Sequence, residues 1–243
     1  MVTNTSAGIQ TDICVLDFVK AFDKLGHRRL IEKLRCYEVD GDTNRWIQGF
    51  LSNRKQRVVV EGTAPKELDV SSGIQQGSIL GPCFFLFYIN DIAEELSSTV
   101  RLFADDTMIY MAVKNDNNAA ILQKDLDLLC DWEAKWRMEF HPNKCEILSI
   151  TRKKYPVVYP YQIHSQQLKC SNCAKYLGVR ISNNMRWSKH NDMVSGKVNS
   201  KLGFIKRSIN ISSQTIKEQA YKTLVRPVLE YSQTSGIHTL KQG

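Results

Sequence analysis

The sequence predicts an α+β fold in which an antiparallel sheet is backed by helices, and three patterns predict it. Ile13–Leu16 is a continuous apolar run, as in a strand buried on both faces. Apolar runs flank the pair Asp105-Asp106, which indicates strand, turn, strand. Apolar residues at helical spacing separate these strands, beginning at residues 30–37.

The first half of the chain supplies the following elements. After Asp17, a helix is predicted from the spacing of Leu30, Ile31, Leu34 and Tyr37, and Gly41 is its predicted end. A hairpin is predicted over Arg54–Val70 with its turn at Gly62–Pro65. Pro82 suits the first turn of an apolar helix that follows a glycine-rich loop.

The second half continues the alternation of helices and strands. A helix with one apolar face is predicted from Leu122, Leu126, Leu129, Trp132 and Trp136, so we expect both tryptophans in the core. A short strand is predicted over Ile147–Thr151, and a second hairpin joins Val157–Ile163 to Lys175–Ile181. Two helices are predicted around Lys189–Arg207 and Ser213–Tyr231.

Charge is distributed unevenly along the 243 residues, whose net charge is +8. Residues 1–150 have 17 Lys and Arg against 22 Asp and Glu, whereas residues 151–243 have 16 against 3. A segment this basic attracts a phosphate backbone and makes binding sensitive to salt. The alternatives for the basic segment are a solubilising surface and an anionic membrane partner. Nucleic acid is favoured because the acidic half of the chain could hold metal ions while the basic half binds the polyanion.

Cysteine usage and targeting patterns narrow the class. Seven cysteines without a regular framework favour reduced thiols and an intracellular protein, nuclear or cytoplasmic. Cys170 and Cys173 form a single C-x-x-C without finger-like partners, which argues against zinc there. Met1–Gln10 lacks the pattern of a signal peptide, and the longest apolar run, Cys83–Ile89, is too short to span a membrane. We therefore expect no secretion and no membrane partner.

Acidic residues follow two of the predicted strands. Asp17 ends the run Ile13–Leu16, and Asp105 and Asp106 occupy the later break, 88 positions further on. If the strands are neighbours, three carboxylates share one edge of the sheet. Such oxygen-only ligands suit Mg²⁺, and two ions about 4 Å apart can clamp the attacking and leaving oxygens of a phosphoryl transfer. An ordinary surface turn is the alternative for Asp-Asp.

Five segments resemble the motifs of the reverse transcriptases of non-LTR, LINE-type retrotransposons, in the order found in that family. LDFVKAFDKLGHRRL is similar to the first catalytic motif, SGIQQGSILGP to the second and FADD to the third. HPNKCEIL and KYLGV resemble the fourth and fifth, and the set covers about residues 12–182. LVRPVLEYS at 224–232 resembles the thumb region.

The resemblance implies a reverse transcriptase palm over residues 1–182, with a fingers remnant at about 40–75, and a partial helical thumb over 183–243. It implies RNA-directed DNA synthesis from dNTPs on an RNA template with a DNA primer. The implied cofactor is Mg²⁺, with Mn²⁺ as the alternative.

The resemblance also assigns roles to individual residues. Asp17, Asp105 and Asp106 would be catalytic metal ligands, and Lys144 a catalytic general acid or phosphate contact, with a plain surface lysine as the alternative. Phe22 would crowd a ribose 2′-OH and select deoxynucleotides, and an ordinary core aromatic is the alternative. The residues that would contact the nucleotide are Phe18, Phe22, Gln76 and Gly77. Those that would contact primer or template are Tyr176, Leu177, Gly178, Lys197, Lys201 and Arg207.

One departure from the family concerns the fingers. The resemblance implies a basic fingers region before the first motif, and only about 11 residues precede Asp12. We therefore expect a fragment that binds metal ions and binds template and primer weakly. Its catalytic turnover is expected to be impaired by the truncation. A catalytically inactive retroelement remnant that binds nucleic acid through its basic C-terminal part stays open, as does a chain with no stable function.

Overall fold

The computed structural model describes residues 7–57, 67–75, 77–208 and 213–231. The chain forms two compact units, Met1–Ser171 and Asn172–Gly243. The division comes earlier than the predicted palm–thumb boundary at 182/183, and that functional boundary stays a prediction. Among the described residues, no helix combines the length and apolar character needed to cross a bilayer.

The first unit contains alternating helices and strands. Its elements are β1 (Gln10–Leu16), α1 (Ala21–Lys24), α2 (His27–Cys36), α3 (Gly41–Leu51), β2 (Lys55–Gln56), β3 (Leu68–Asp69), α4 (Leu80–Ile89), a 3-10 helix (Asn90–Ala93), β4 (Thr99–Phe103), β5 (Asp106–Val113), α5 (Asp116–Trp136), β6 (Glu146–Ile150), β7 (Gln162–Ile163), β8 (Gln166–Gln167) and β9 (Lys169–Cys170). The predicted α+β class is confirmed.

A five-stranded sheet organises this unit, in the order β4-β5-β1-β6-β9. All neighbouring pairs are antiparallel except β6 and β9. The central strand β1 is flanked by β5 and β6, so Ile13, Cys14 and Leu16 are buried, as the apolar run predicts. Because β1 is the central strand, its last residue, Leu16, and the Asp17 that follows it lie between the neighbouring strands at one end of the sheet.

Polar side chains at the start of β1 are also buried, and they form a hydrogen-bonded network. Asp12 accepts from Gln10 Nε2 at 2.9 Å and from the Tyr161 hydroxyl at 2.8 Å. Gln10 in turn bonds both the N–H and the carbonyl of Val157. Burial, reinforced by the Asp12 carboxylate, raises the pKa of Tyr161 well above its usual range. The hydroxyl therefore remains a donor to Asp12.

The helices cover the sheet with their apolar faces. In α5, Leu122, Leu126 and Leu129 are buried as predicted, and Trp132 and Trp136 pack against the same core. In α4, Pro82 lies in the first turn as predicted, and Phe85 and Tyr88 are fully buried.

Two predicted features are wrong. Gly41 does not end the helix of residues 27–36; with φ of 63° it is the first residue of α3. The second hairpin does not join 157–163 to 175–181. Instead β7 pairs with β8, and a separate hairpin forms from residue 173 onward. Short polar strands give too little pattern to choose between local and distant partners.

The first predicted hairpin is observed where it is described. Lys55 lies opposite Asp69, and Gln56 opposite Leu68. Its predicted turn at Gly62–Pro65 lies outside the described residues.

The second unit is a hairpin followed by helices. Its elements are β10 (Cys173–Tyr176), β11 (Val179–Ser182), α6 (Ser188–Ser208), α7 (Gln214–Ala220), a π-helical turn (Tyr221–Val225) and α8 (Arg226–Glu230). The two predicted helices near 189–207 and 213–231 are confirmed in kind, and the second is interrupted by the π-helical turn.

Candidate active site

Strand pairing brings the three predicted metal ligands to one end of the sheet. In the β1–β5 ladder, Leu16 lies opposite Thr107. Asp17 directly follows Leu16, and Asp106 directly precedes Thr107 at the start of β5, so both acids lie at the same end of two neighbouring strands. Asp105 is the neighbour of Asp106 in the β4–β5 turn. The neighbouring strands that the sequence argument required are therefore present.

The β4–β5 turn presents the acidic pair to solvent. Phe103 pairs with Asp106, so Ala104 and Asp105 form a two-residue turn, in which Ala104 has φ of 50°. Residues other than glycine, asparagine and aspartate seldom adopt this left-handed conformation, and strained backbone of this kind clusters at functional sites. Asp105 and Asp106 are both exposed.

Main-chain hydrogen bonds hold Asp17 in place after β1 ends. Its carbonyl accepts from His141 N–H at 2.8 Å, and Val19 N–H donates to the Glu139 carbonyl at 2.7 Å. Its own N–H donates to Cys145 Sγ at 3.5 Å. Burial raises the pKa of Cys145 to about 11, which keeps this thiol protonated at neutral pH. The Asp17 side chain is left half-exposed on a fixed backbone.

Lys144 contacts the carboxylate of Asp17. Its Nζ lies 3.2 Å from Oδ1, and both side chains are about half-exposed. Ion pairs this accessible to water contribute less than about 1 kcal/mol, so the contact is easily exchanged for another partner of either group. The predicted catalytic lysine thus lies at the acidic edge, and its role stays a prediction.

The donor set at this edge fits a hard divalent cation. Its three carboxylates offer oxygen ligands, which Mg²⁺ and similar ions prefer. Within the described residues, these carboxylates do not form a group of ligand atoms within 4.8 Å of one another, as expected of like charges that repel. A cation would reverse the sign of that interaction.

Phe18 and Phe22 are both packed against other aromatic rings. The Phe18 ring is buried and stacks on Phe140 with centroids 4.3 Å apart, so a nucleotide contact could come only from its main chain. Phe22 is partly buried and stacks on Phe85 at 4.6 Å. The partial exposure of Phe22 is compatible with both its predicted role and the core alternative, and the two roles stay predictions.

The glycine-rich loop is attached to the first motif through Gly73. Gly73 N–H donates to the Leu25 carbonyl at 2.7 Å, and the next residue, Ile74, donates to the Phe22 carbonyl at 2.9 Å. A Cβ on Gly73, whose φ is 83°, would lie 2.9 Å from the Asp23 carbonyl oxygen. The sequence marks several glycines here without showing which of them the packing requires. The structure identifies Gly73 and also Gly81, where a Cβ would lie 2.9 Å from the Gln75 carbonyl oxygen.

The predicted nucleotide contacts in this loop are only partly described. Gln76 lies outside the described residues. Gly77 is exposed with φ of 84°, and space around it is open. Ser78 Oγ accepts from Gly81 N–H at 3.0 Å and so stabilises the start of α4.

The predicted primer and template residues all belong to the second unit. Tyr176 is the last residue of β10, and Leu177 and Gly178 form the β10–β11 turn with positive φ values of 47° and 77°. The Leu177 carbonyl accepts from the Tyr231 hydroxyl at 2.8 Å. The three predicted basic contacts are exposed on α6; they are Lys197, Lys201 and Arg207.

Comparison with known proteins identifies relatives across most of the chain. Residues 4–181 match the family described as "Reverse transcriptase (RNA-dependent DNA polymerase)". The chain is 26% identical to the RNA-directed DNA polymerase from mobile element jockey of Drosophila funebris, over 90% of this chain and 25% of that protein. It is 26% identical to the probable RNA-directed DNA polymerase from transposon X-element of Drosophila melanogaster, over 89% of this chain and 25% of that protein. The chain thus spans about a quarter of the length of these relatives.

Two solved structures share the fold. The structure of apo telomerase from Candida tropicalis, truncated from its C-terminal domain, superposes with a TM-score of 0.51 at 12% identity, over 71% of this chain and 34% of that one. Telomerase from Candida tropicalis in complex with a TWJ fragment of telomeric RNA superposes with a TM-score of 0.53 at 11% identity, over 97% and 40%. At these identities the likeness concerns the fold alone. The family match over residues 4–181 and the relatives named above confirm the family that the five motifs resemble.

Proposed function

Because this chain belongs to the reverse transcriptase (RNA-dependent DNA polymerase) family, we propose that it is the palm of an RNA-directed DNA polymerase of a non-LTR retrotransposon. It adds dNTPs to the 3′-OH of a DNA primer on an RNA template. The observation that supports the proposal is the pairing of β1 with β5, in which Leu16 lies opposite Thr107, so that Asp17 and the pair Asp105-Asp106 lie at the same end of neighbouring strands. Location inside the cell, nuclear or cytoplasmic, follows from this role.

Asp17, Asp105 and Asp106 would hold the divalent cations, for which we propose Mg²⁺ with Mn²⁺ as a substitute. When bound, such ions neutralise phosphate charge and lower the pKa of an attacking oxygen. The contribution of the chain is positional. The backbone of Asp17 is fixed by its bonds to the 139–145 segment, and Asp106 is fixed by its place in β5. Both carboxylates therefore reach the edge without reorganisation of the sheet.

Lys144 works beside these acids on the phosphate side of the reaction. Its ammonium, 3.2 Å from Asp17, can leave that exposed contact for a substrate phosphate oxygen or donate a proton to the leaving group. Phe22 excludes a ribose 2′-OH by its bulk, and its stacking on Phe85 limits how far the ring can move aside. Phe18, Gln76 and Gly77 complete the proposed nucleotide site.

The second unit supplies the proposed contacts to primer and template. Its exposed cations Lys197, Lys201 and Arg207 suit a phosphate backbone, and binding through them weakens as salt rises. The turn Tyr176–Gly178 supports the primer, and the Tyr231 hydroxyl stabilises that turn.

Primer extension tests the proposal. Oligo(dT) on poly(rA) with dTTP and Mg²⁺ should be extended by the wild-type chain, and Asp105→Asn should abolish extension while the circular dichroism spectrum is retained. Asp131→Asn, which removes an exposed acid from α5, is the matched control and should leave extension unchanged. Extension by Asp105→Asn at the wild-type rate would contradict the assigned role.

The alternative is a remnant that binds nucleic acid without catalysis, and the excess of cations in residues 151–243 favours it. Binding of the same primer–template with no extension in either Mg²⁺ or Mn²⁺ would support this second function. A salt-independent affinity would count against both.

A further inference from the structure

Three residues with metal-binding side chains cluster outside the acidic edge. Cys130 and Glu133 are three positions apart on α5, which places them on one helix face. His164 lies in the turn between β7 and β8. One ligand atom from each, the Cys130 sulfur, a Glu133 oxygen and a His164 nitrogen, all lie within 4.8 Å of one another. The mechanism proposed above uses none of these residues.

Glu133 is the most deeply buried member, and one of its oxygens faces the other two side chains of the cluster. Its side chain is 3% exposed. Oε1 accepts the main-chain N–H of Phe140. Oε2 lies 3.1 Å from His164 Nε2 and forms no hydrogen bond of suitable angle among the described residues. Burial raises the pKa of Glu133, and the nearby His164 and Cys130 side chains oppose that larger effect by lowering it. The neighbours of this buried carboxylate offset only part of its desolvation cost, and a bound cation would offset more of it.

The two elements that carry the cluster are already fixed to each other. The Gln123 side chain of α5 accepts from the Gln162 N–H at 2.8 Å and donates to the Gln162 carbonyl at 3.0 Å. Ile163 pairs with Gln166 across the turn that contains His164. The three ligand atoms are therefore brought together by contacts other than their own, as in a preorganised site.

We propose that Cys130 Sγ, Glu133 Oε2 and His164 Nε2 bind one Zn²⁺ ion, with water as the fourth ligand. Thiolate, imidazole and carboxylate together suit zinc, whereas Mg²⁺ prefers oxygen ligands alone. Two ligands about 2.1 Å from a tetrahedral ion lie about 3.4 Å apart, which is near the observed 3.1 Å between oxygen and nitrogen. His164 is 40% exposed, so both the ion and the water have access.

Binding of Zn²⁺ would be coupled to loss of the Cys130 thiol proton and to the packing of the residues near Asp17. Cys130 must lose its proton to bind, so affinity rises with pH. The Glu133 that binds the ion also holds Phe140, whose ring stacks on Phe18. The residues on either side of Phe140 make the main-chain bonds to Asp17 and Val19. The ion would thus brace the segment that carries Asp17, and this inference stands independently of the polymerase assignment.

Zinc binding by the purified chain tests the site directly. The chain is freed of metal with a chelator and titrated with Zn²⁺ in competition with a chromophoric chelator, and then with Co²⁺. We expect one Zn²⁺ per chain and, with Co²⁺, a thiolate-to-cobalt charge-transfer band. Cys130→Ser and His164→Gln should each weaken Zn²⁺ binding at least tenfold and remove or shift that band. Zn²⁺ should raise the melting temperature of the wild type but not of Cys130→Ser.

Controls separate this site from the other cysteines and from the acidic edge. Cys36→Ser, the double variant Cys170→Ser/Cys173→Ser and Asp105→Asn should all bind Zn²⁺ as the wild type does. The tests use Cys130 and His164 because truncation of the buried Glu133 could unfold the chain, and circular dichroism checks that both variants fold. Wild-type affinity in both variants, loss of binding in the Cys170/Cys173 variant, or no Zn²⁺ uptake by the wild type would each overturn the proposal.

Discussion

The two ends of β1 use the same residue type in opposite ways. At its start, Asp12 is 1% exposed, and both of its oxygens accept hydrogen bonds, from Gln10 and Tyr161. After its end, the Asp17 side chain is 47% exposed and makes one weak ion pair with Lys144. A buried carboxylate with a full set of partners stabilises a single arrangement, whereas an exposed one beside other acids keeps its oxygens available for a ligand. Position in the sheet, not residue type, separates the two roles.

The largest expected effect is on catalysis at the exposed end. Asp17→Asn should lower primer extension by more than about 100-fold, because it removes a charged ligand from the reacting centre. The melting temperature should stay the same or rise slightly, since one of three crowded charges is removed. Primer extension and thermal unfolding of the same preparation check both parts. A large loss of stability would show that Asp17 belongs with Asp12 as a structural residue.

At the buried end, the effect should be on stability. Asp12→Ala should lower the free energy of unfolding by about 3 kcal/mol, because the Gln10 amide and the Tyr161 hydroxyl lose their buried acceptor. Urea denaturation monitored by circular dichroism measures this change. Tyr161→Phe removes only one of the two bonds and should cost less, about 1 kcal/mol. Unchanged stability in Asp12→Ala with loss of extension would erase the contrast between the two ends.

Lys144 sharpens the comparison, since it is the cation at the exposed end. Lys144→Ala should slow extension about tenfold, in the lower range for loss of an acid catalyst or phosphate contact, and change stability by less than about 0.5 kcal/mol. If Lys144 donates a proton, Lys144→Arg should be as slow as Lys144→Ala, because a guanidinium keeps its protons. If it only contacts phosphate, Lys144→Arg should restore most of the rate. Activity of Lys144→Ala equal to the wild type would make it an ordinary surface lysine.

The smallest expected effect concerns a buried cation, Lys33, which like Asp12 has hydrogen-bond partners in the interior. It donates to the Tyr88 carbonyl and to Asp91, and it lies 3.8 Å from the centroid of the Trp136 ring. Burial lowers the pKa of Lys33 from 10.5 to about 8, although Asp91 opposes the change.

The sign of the resulting pH dependence follows from proton binding. Between pH 8 and 10.5 the unfolded chain keeps a proton that folded Lys33 has lost, so the contribution of Lys33 to stability rises with pH across this window. Urea titration at several pH values measures the difference in unfolding free energy between wild type and Lys33→Met. This difference separates the contribution of Lys33 from those of Cys145 and Tyr88, whose pKa values of about 11 and about 12 lie close to the same pH range. A difference that does not vary with pH would indicate an unshifted Lys33.

Local pattern was sufficient for some parts of the fold and not for others. The strand–turn–strand around Asp105 and the helix carrying Leu122 and Leu126 were predicted because alternation and helical spacing are properties of adjacent residues. The predicted end of the helix His27–Cys36 was misplaced at Gly41, because a glycine with positive φ can begin a helix as well as follow one. The predicted partners of β7 and β10 were wrong, because strands of two and four residues have too little pattern to select a partner, and their pairing depends on the rest of the molecule.

The sequence by itself determined which residues are acidic, basic or apolar and which short segments become helices and strands, and its five motifs indicated the family. Only the tertiary structure decided that β1 lies between β5 and β6, so that Asp17 and a pair of acids 88 positions away lie at the same end of neighbouring strands. The tertiary structure also decided that Cys130, Glu133 and His164 come together, which no spacing in the sequence suggests. The physical reason is the range of the interactions. Helical and strand periodicity act between near neighbours, whereas strand order and side-chain clusters result from burying a shared core.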